Sequence, residues 1–186
     1  PVVGYRGQSP LANRVLGSTA RNLSRTTVVP LLVNRIEREA DEHSVLREHL
    51  FQRVLYATDF SENAERAFNA FSSLRHATQE ATLVHVESPK EPDETDAADQ
   101  LATLEGRLDQ WDIDTDTRVR YGDPAEEILD AAAEVTPTTI LLGSRGPIRP
   151  RRLLIGSLPE TILPQAAHHL HLVPPPPPAS GHAPVA

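Results

Sequence analysis

TTILLGSRGPIRPRRLLIGS, residues 138–157, joins an apolar run to the pattern Gly143-Ser144-Arg145-Gly146, nine residues, Gly156-Ser157. The apolar run reads as a buried strand, Thr138–Leu142, and the glycines as a loop that leaves a sheet and enters a helix at a Gly-Ser cap. Loops of this kind present backbone N–H groups to phosphate. The same pattern stands earlier in the chain as Gly4-Tyr5-Arg6-Gly7, nine residues, Gly17-Ser18. The offset is 139 positions without a gap, and Arg6 matches Arg145. An internal repeat of this period implies one whole unit preceded by the closing part of another. The chain starts at Pro1 rather than Met, which fits a piece of a tandem protein.

Outward from the second loop, strands and helices alternate. Arg53–Ala57 is a strand, Thr58-Asp59-Phe60-Ser61 a turn, and Ser61–His76 a helix with Ala64, Ala67, Phe68 and Phe71 at helical spacing. Thr82–Val86 is a second strand. Asp96–Trp111 is helical through Leu101, Leu104 and Leu108, and Asp114–Tyr121 reads as a less buried strand. Asp123-Pro124-Ala125-Glu126 is a helix start, with Asp as cap and Pro in the first turn. Ser157–Ala167 is the last helix, irregular at Pro164, and Leu170–Val173 the last strand. In the earlier unit, Val2-Val3 reads as the end of a strand, Gly17–Arg25 as a helix start and Val28–Val33 as a strand. Alternation of this kind predicts a doubly wound, mainly parallel α/β sheet. Ligands then bind beyond the carboxyl ends of the strands, where Thr58-Asp59 and Gly143 face one another.

Composition narrows the function. A net charge of −8 argues against nonspecific nucleic-acid binding. The chain has no Cys, hence no disulfide or thiolate chemistry. No apolar run approaches the roughly 18 residues of a membrane span, so a cytoplasmic protein without membrane insertion is the expectation. One Lys stands against 17 Arg, a bias that genomic base composition or salt adaptation would each produce. No Lys follows the glycine loop, so this is not a P-loop ending in Gly-Lys-Ser/Thr, and no Ser/His/Asp or paired-carboxylate constellation is legible. A non-enzymatic protein is therefore expected. His168, His169 and His171 read more simply as outward strand residues, with Leu170 and Leu172 inward, than as metal ligands. His85 reads as a hydrogen-bonded core or crevice histidine, and Trp111 as a packing residue.

VLYATDFSENAERAF (54–68), TLVHV (82–86), GDPAEEIL (122–129) and the G-x2-G-x9-G-S loop stand in the order of the universal stress protein family, which this chain resembles. The resemblance covers residues 52–174 in full. Residues 1–35 resemble the closing third of a preceding domain, 36–51 form a linker and 175–186 a Pro-rich tail. It implies five strands in the order 3-2-1-4-5, as in adenine-nucleotide alpha-hydrolases, and pairing through the last strand, either in a homodimer or within the chain. It also implies an ATP site, with Mg²⁺ as a possible companion. Asp59 would contact the ribose, the backbone around Ala57, Thr58 and Val86 would frame the adenine, and Gly143, Arg145, Gly146, Gly156 and Ser157 would cradle the phosphates.

Arg149, Arg151 and Arg152 add a basic cluster inside the spacer. Pro147 and Pro159 each remove a backbone donor there. The first loop keeps Gln8 and Ser18-Thr19-Ala20 instead. Two alternatives stand beside ATP binding. One is a nucleotide-free dimerisation module, attached to a larger protein such as a transporter. The other is an adenosine-phosphate-cleaving enzyme on the related fold.

Overall fold

The computed structural model describes residues 2–6, 23, 27, 29–36, 49–87, 97–143 and 158–175. Seven strands form one sheet: β1 (Val2–Arg6), β2 (Leu31–Ile36), β3 (Arg53–Thr58), β4 (Glu80–Glu87), β5 (Asp114–Tyr121), β6 (Thr139–Gly143) and β7 (His169–Val173). Among the described residues four α-helices have both bounds: α1 (Glu62–Ser72), α2 (Ala97–Asp109), α3 (Pro124–Val135) and α4 (Leu158–Ile162). The strand order is β1-β2-β7-β6-β3-β4-β5. Within it, β3 to β7 reproduce the expected 3-2-1-4-5 arrangement, all parallel.

Helices cover both faces because each turns an apolar stripe to the sheet. On one face α1 (Ala64, Ala67, Phe68, Phe71) and α2 (Leu101, Leu104, Leu108) pack with Tyr56, Leu83 and Leu141. On the other, α3 (Ala125, Ile128, Ala131, Ala132) and Ile162 of α4 pack with Leu55, Val84, Ile140 and Leu172. The interior strands β3 and β6 are accordingly apolar along almost their whole length. β5, at the edge, alternates and stays half-exposed, as its sequence predicts. Asp123 caps α3, its Oδ1 accepting the Ala125 and Glu126 amides at 2.9 and 3.3 Å.

The repeat is visible in the pairing. β1 and β2 are parallel with Val2 opposite Leu32 and Gly4 opposite Asn34. β6 and β7 are parallel with Leu141 opposite His171 and Gly143 opposite Val173. Each residue of the second set lies 139 positions after its counterpart in the first. β2 meets β7 antiparallel, Leu31 to Leu172, Leu32 to His171 and Val33 to Leu170. Exchanging each residue for its repeat counterpart maps this seam onto itself, with the Leu32–His171 step at its centre. β1 consequently runs opposite to β6, and the two glycine patterns leave the sheet at opposite rims.

Several boundaries differ from expectation. β1 continues past Val3 through Gly4 to Arg6, so the first glycine of that pattern is a strand residue. β2 begins after Pro30, not at Val28, because it is paired on both sides and a proline there would leave a ladder bond unmade. It runs on to Ile36, into the expected linker. α4 ends at Ile162 and gives way to turns through Pro164. His169 is buried and His171 half-buried. Their outward placement fails because β7 lies inside the sheet, with both faces covered. Trp111 does pack, stacking on Phe68 at 6.3 Å.

Candidate functional site

At the carboxyl rim, neighbouring strand ends form a row. Leu142 lies opposite Ala57, so Gly143 follows beside Thr58, and Thr58 lies opposite His85. Ala57 and Thr58 are buried, Val86 is half-buried and Asp59 is exposed. The sequence-derived residues of this half therefore share one rim. Arg145, Gly146, Gly156 and Ser157 lie outside the described residues, as do Pro147, Arg149, Arg151, Arg152 and the first loop from Gly7 to Ser18.

The β3–α1 turn is fixed by its own polar side chains. Thr58 Oγ1 accepts the Phe60 amide at 3.0 Å, Asp59 Oδ1 accepts the Ser61 amide at 3.0 Å, and Ser61 Oγ accepts the Ala64 amide at 3.2 Å. These bonds satisfy donors that the start of a helix would otherwise leave without partners. Ser61 is thus the N-cap of α1 that the sequence predicts. Asp59 spends one carboxylate oxygen on the turn, and the residue as a whole is exposed. A carboxylate so placed can accept hydrogen bonds from a vicinal diol.

Phe60 sits at φ 55°, in the left-handed region. For a residue other than glycine this costs about 1–3 kcal/mol and persists only where the surroundings hold it. The ring of His85 holds it, stacked on Phe60 with centroids 4.5 Å apart and planes 28° from parallel. His85 Nδ1 lies 2.9 Å from the Thr58 carbonyl oxygen. A carbonyl only accepts, so Nδ1 carries the proton. Beneath the turn, the Tyr56 hydroxyl donates to the Ala64 carbonyl at 2.7 Å, tying β3 to α1. Burial pushes that phenol well above its ordinary range.

Gly143 has a structural reason of its own to be glycine. A Cβ there would meet the Asn63 carbonyl oxygen at 3.1 Å and the Ala64 nitrogen at 3.4 Å. The end of β6 therefore lies directly against the first turn of α1, and the two motif halves are in contact. Sequence reasoning read this glycine as part of a phosphate loop, whereas its visible neighbour is helix backbone. It also missed Phe60, since nothing in the sequence marks a phenylalanine for the left-handed region. The histidine was legible as hydrogen-bonded, but its partner was not.

Rim, fold and motif order define an α/β protein with its candidate ligand crevice at the strand carboxyl ends. The family model described as the Universal stress protein family matches residues 50–174. The chain belongs to the universal stress protein family. It is 24% identical over 146 residues to Universal stress protein MJ0577 of Methanocaldococcus jannaschii, covering 61% of this chain and 89% of that protein.

Among solved structures, a universal stress protein from Archaeoglobus fulgidus superposes with TM-score 0.70 at 24% identity, covering 93% of this chain and 62% of that one. The chain thus spans less than two thirds of that neighbour's length. A universal stress protein in complex with cAMP superposes with TM-score 0.51 at 19% identity, over 67% of this chain and 97% of that one. Among the described residues, no helix is long and apolar enough to cross a membrane.

Proposed function

We propose that the protein is a regulatory module that binds an adenine nucleotide, ATP foremost, at the rim formed by β3, β4 and β6, without itself being built for turnover. The observation that carries this reading is the contact of the two motif halves. Asp59 stands exposed at the end of β3, and Gly143 is pressed against the turn of helix that follows it. A related protein of the same fold is known in complex with cAMP. Asp59 would take the ribose hydroxyls, and the rim backbone at Ala57, Thr58 and Val86 would frame the adenine. Gly143, Arg145, Gly146, Gly156 and Ser157 would form the phosphate side. Any Mg²⁺ would serve only to screen phosphate charge there. Titration calorimetry of the chain with ATP and Mg²⁺ tests this; absence of heat at millimolar ATP refutes it.

The unit containing residues 52–174 is on this reading the binding unit, and residues 1–35 the closing part of a second one, paired with it within the chain. The equal registers of β1–β2 and β6–β7 support that division. A second reading, a nucleotide-free pairing module serving a larger protein, is favoured by one observation. Pro159 occupies the first turn of the five-residue α4, where a phosphate would otherwise find a backbone donor.

A further inference from the structure

We propose that His85 is a positioning residue that sets the Asp59 carboxylate at the rim of the crevice. The inference rests on the nucleotide reading for its functional consequence, but its structural part stands in the ligand-free chain. His85 touches the β3–α1 turn in two ways. Its Nδ1–H donates to the Thr58 carbonyl at 2.9 Å, and its ring stacks on Phe60 at 4.5 Å. These two residues flank Asp59 on either side. The first contact fixes where β3 ends, and the second holds Phe60 at φ 55°. Between these two neighbours, and with Oδ1 held by the Ser61 amide at 3.0 Å, the carboxylate is restrained. Restraint of this kind spares a ligand part of the cost of ordering the side chain.

The alternative is that His85 is an ordinary core residue of β4. Its neighbours along the strand, Leu83, Val84 and Val86, are apolar and would be served equally well by a leucine at position 85. A leucine would supply neither the donor for Thr58 nor a ring face for Phe60. The two substitutions that separate these contributions are His85→Asn, whose amide nitrogen can occupy the place of Nδ1, and His85→Phe, which keeps a ring and loses the donor.

In the ligand-free chain, amide hydrogen exchange is followed at Phe60 and Ser61, whose N–H groups bond to Thr58 Oγ1 and Asp59 Oδ1. His85→Phe should accelerate both at least tenfold, and His85→Asn less, while Leu83 and Ile140 in the core stay protected. Unchanged exchange at Phe60 and Ser61 in both variants overturns the proposal whether or not nucleotide binds. Affinities for ATP and 2′-deoxy-ATP are then compared in the wild type, His85→Phe, Asp59→Ala and the double variant.

The expected result is a preference for ATP that His85→Phe reduces about tenfold, with no further loss when Asp59 is already alanine. Equal losses in the presence and absence of the Asp59 carboxylate show that His85 acts independently of it, and overturn the proposal. If the wild type binds neither nucleotide, the nucleotide reading fails. The exchange data alone then decide whether His85 positions Asp59.

Discussion

Val2–Ile36 and Thr139–Val173 frame the same two parallel strands in the same register, yet their situations are unequal. β6 has β3 on its free side, which brings Asp59 and the first turn of α1 against its terminal glycine. β1 is an edge of the sheet among the described residues, with Val2 68% exposed. The cleaner glycine loop thus follows a strand with a described neighbour on one side only, and the loop interrupted by prolines follows a strand flanked on both sides. A glycine pattern specifies an exit from a sheet. The strand beside that exit decides whether a ligand would meet more than a turn.

The sharpest test of this inequality is charge insertion at the seam and at the edge. Leu172 is fully buried at the seam, and Leu172→Lys strands a charge there. A loss of roughly 3–5 kcal/mol in urea denaturation is expected. Val2→Lys on the edge should stay within about 0.5 kcal/mol. Equal losses would erase the distinction between seam and edge.

Removal of the rim carboxylate comes next. Asp59→Ala should weaken ATP binding by about 1.5–3 kcal/mol, roughly ten- to hundredfold, in calorimetry. Its stability should fall by about 0.5–1.5 kcal/mol, since the Ser61 amide loses its acceptor. Gly143→Ala forces the Asn63 carbonyl to give by a few tenths of an ångström and should cost about 1–2 kcal/mol of stability. The same exchange at Gly4, on the edge strand, should cost less. A smaller cost at Gly143 than at Gly4 would show that the β6–α1 contact is looser than drawn.

The smallest effect concerns acid. Burial lowers the His171 pKa in the folded chain below its ordinary value of 6.5. Below that value the unfolded chain takes up a proton that the folded one resists, so stability falls as pH drops through 6.5 toward the lower folded value. The melting temperature should therefore decline between pH 7.5 and 5.5. His171→Phe should flatten part of that slope, and an undiminished slope would assign it elsewhere.

Much of this was readable in advance, for identifiable reasons. The helical spacing of Ala64, Ala67, Phe68 and Phe71, and the Asp123-Pro124 start, depend on local sequence and emerge where expected. The parallel sheet follows from alternation of strands and helices, and its strand order from the resemblance. What local pattern could not carry was the consequence of burying both faces. His169 and His171 alternate with leucines like an exposed strand, and only their place between β2 and β6 makes them interior. At the rim, Asp59 and Gly143 were legible by motif. Phe60 was not, because its backbone conformation is imposed by a ring on another strand. The close approach behind Gly143 is likewise a tertiary fact, between residues 80 positions apart.

The seam has one more implication. Whatever occupies a two-fold axis in a pair of identical chains must face itself. A sheet continued through two copies of β7 in the observed register would set His171 against His171, each with a buried Nδ1 that has no hydrogen-bond partner among the described residues. Here the place opposite is taken by Leu32, an unlike residue supplied by the same polypeptide. The centre of the seam is thus filled by two unlike residues, Leu32 and His171, and need not be compatible with itself.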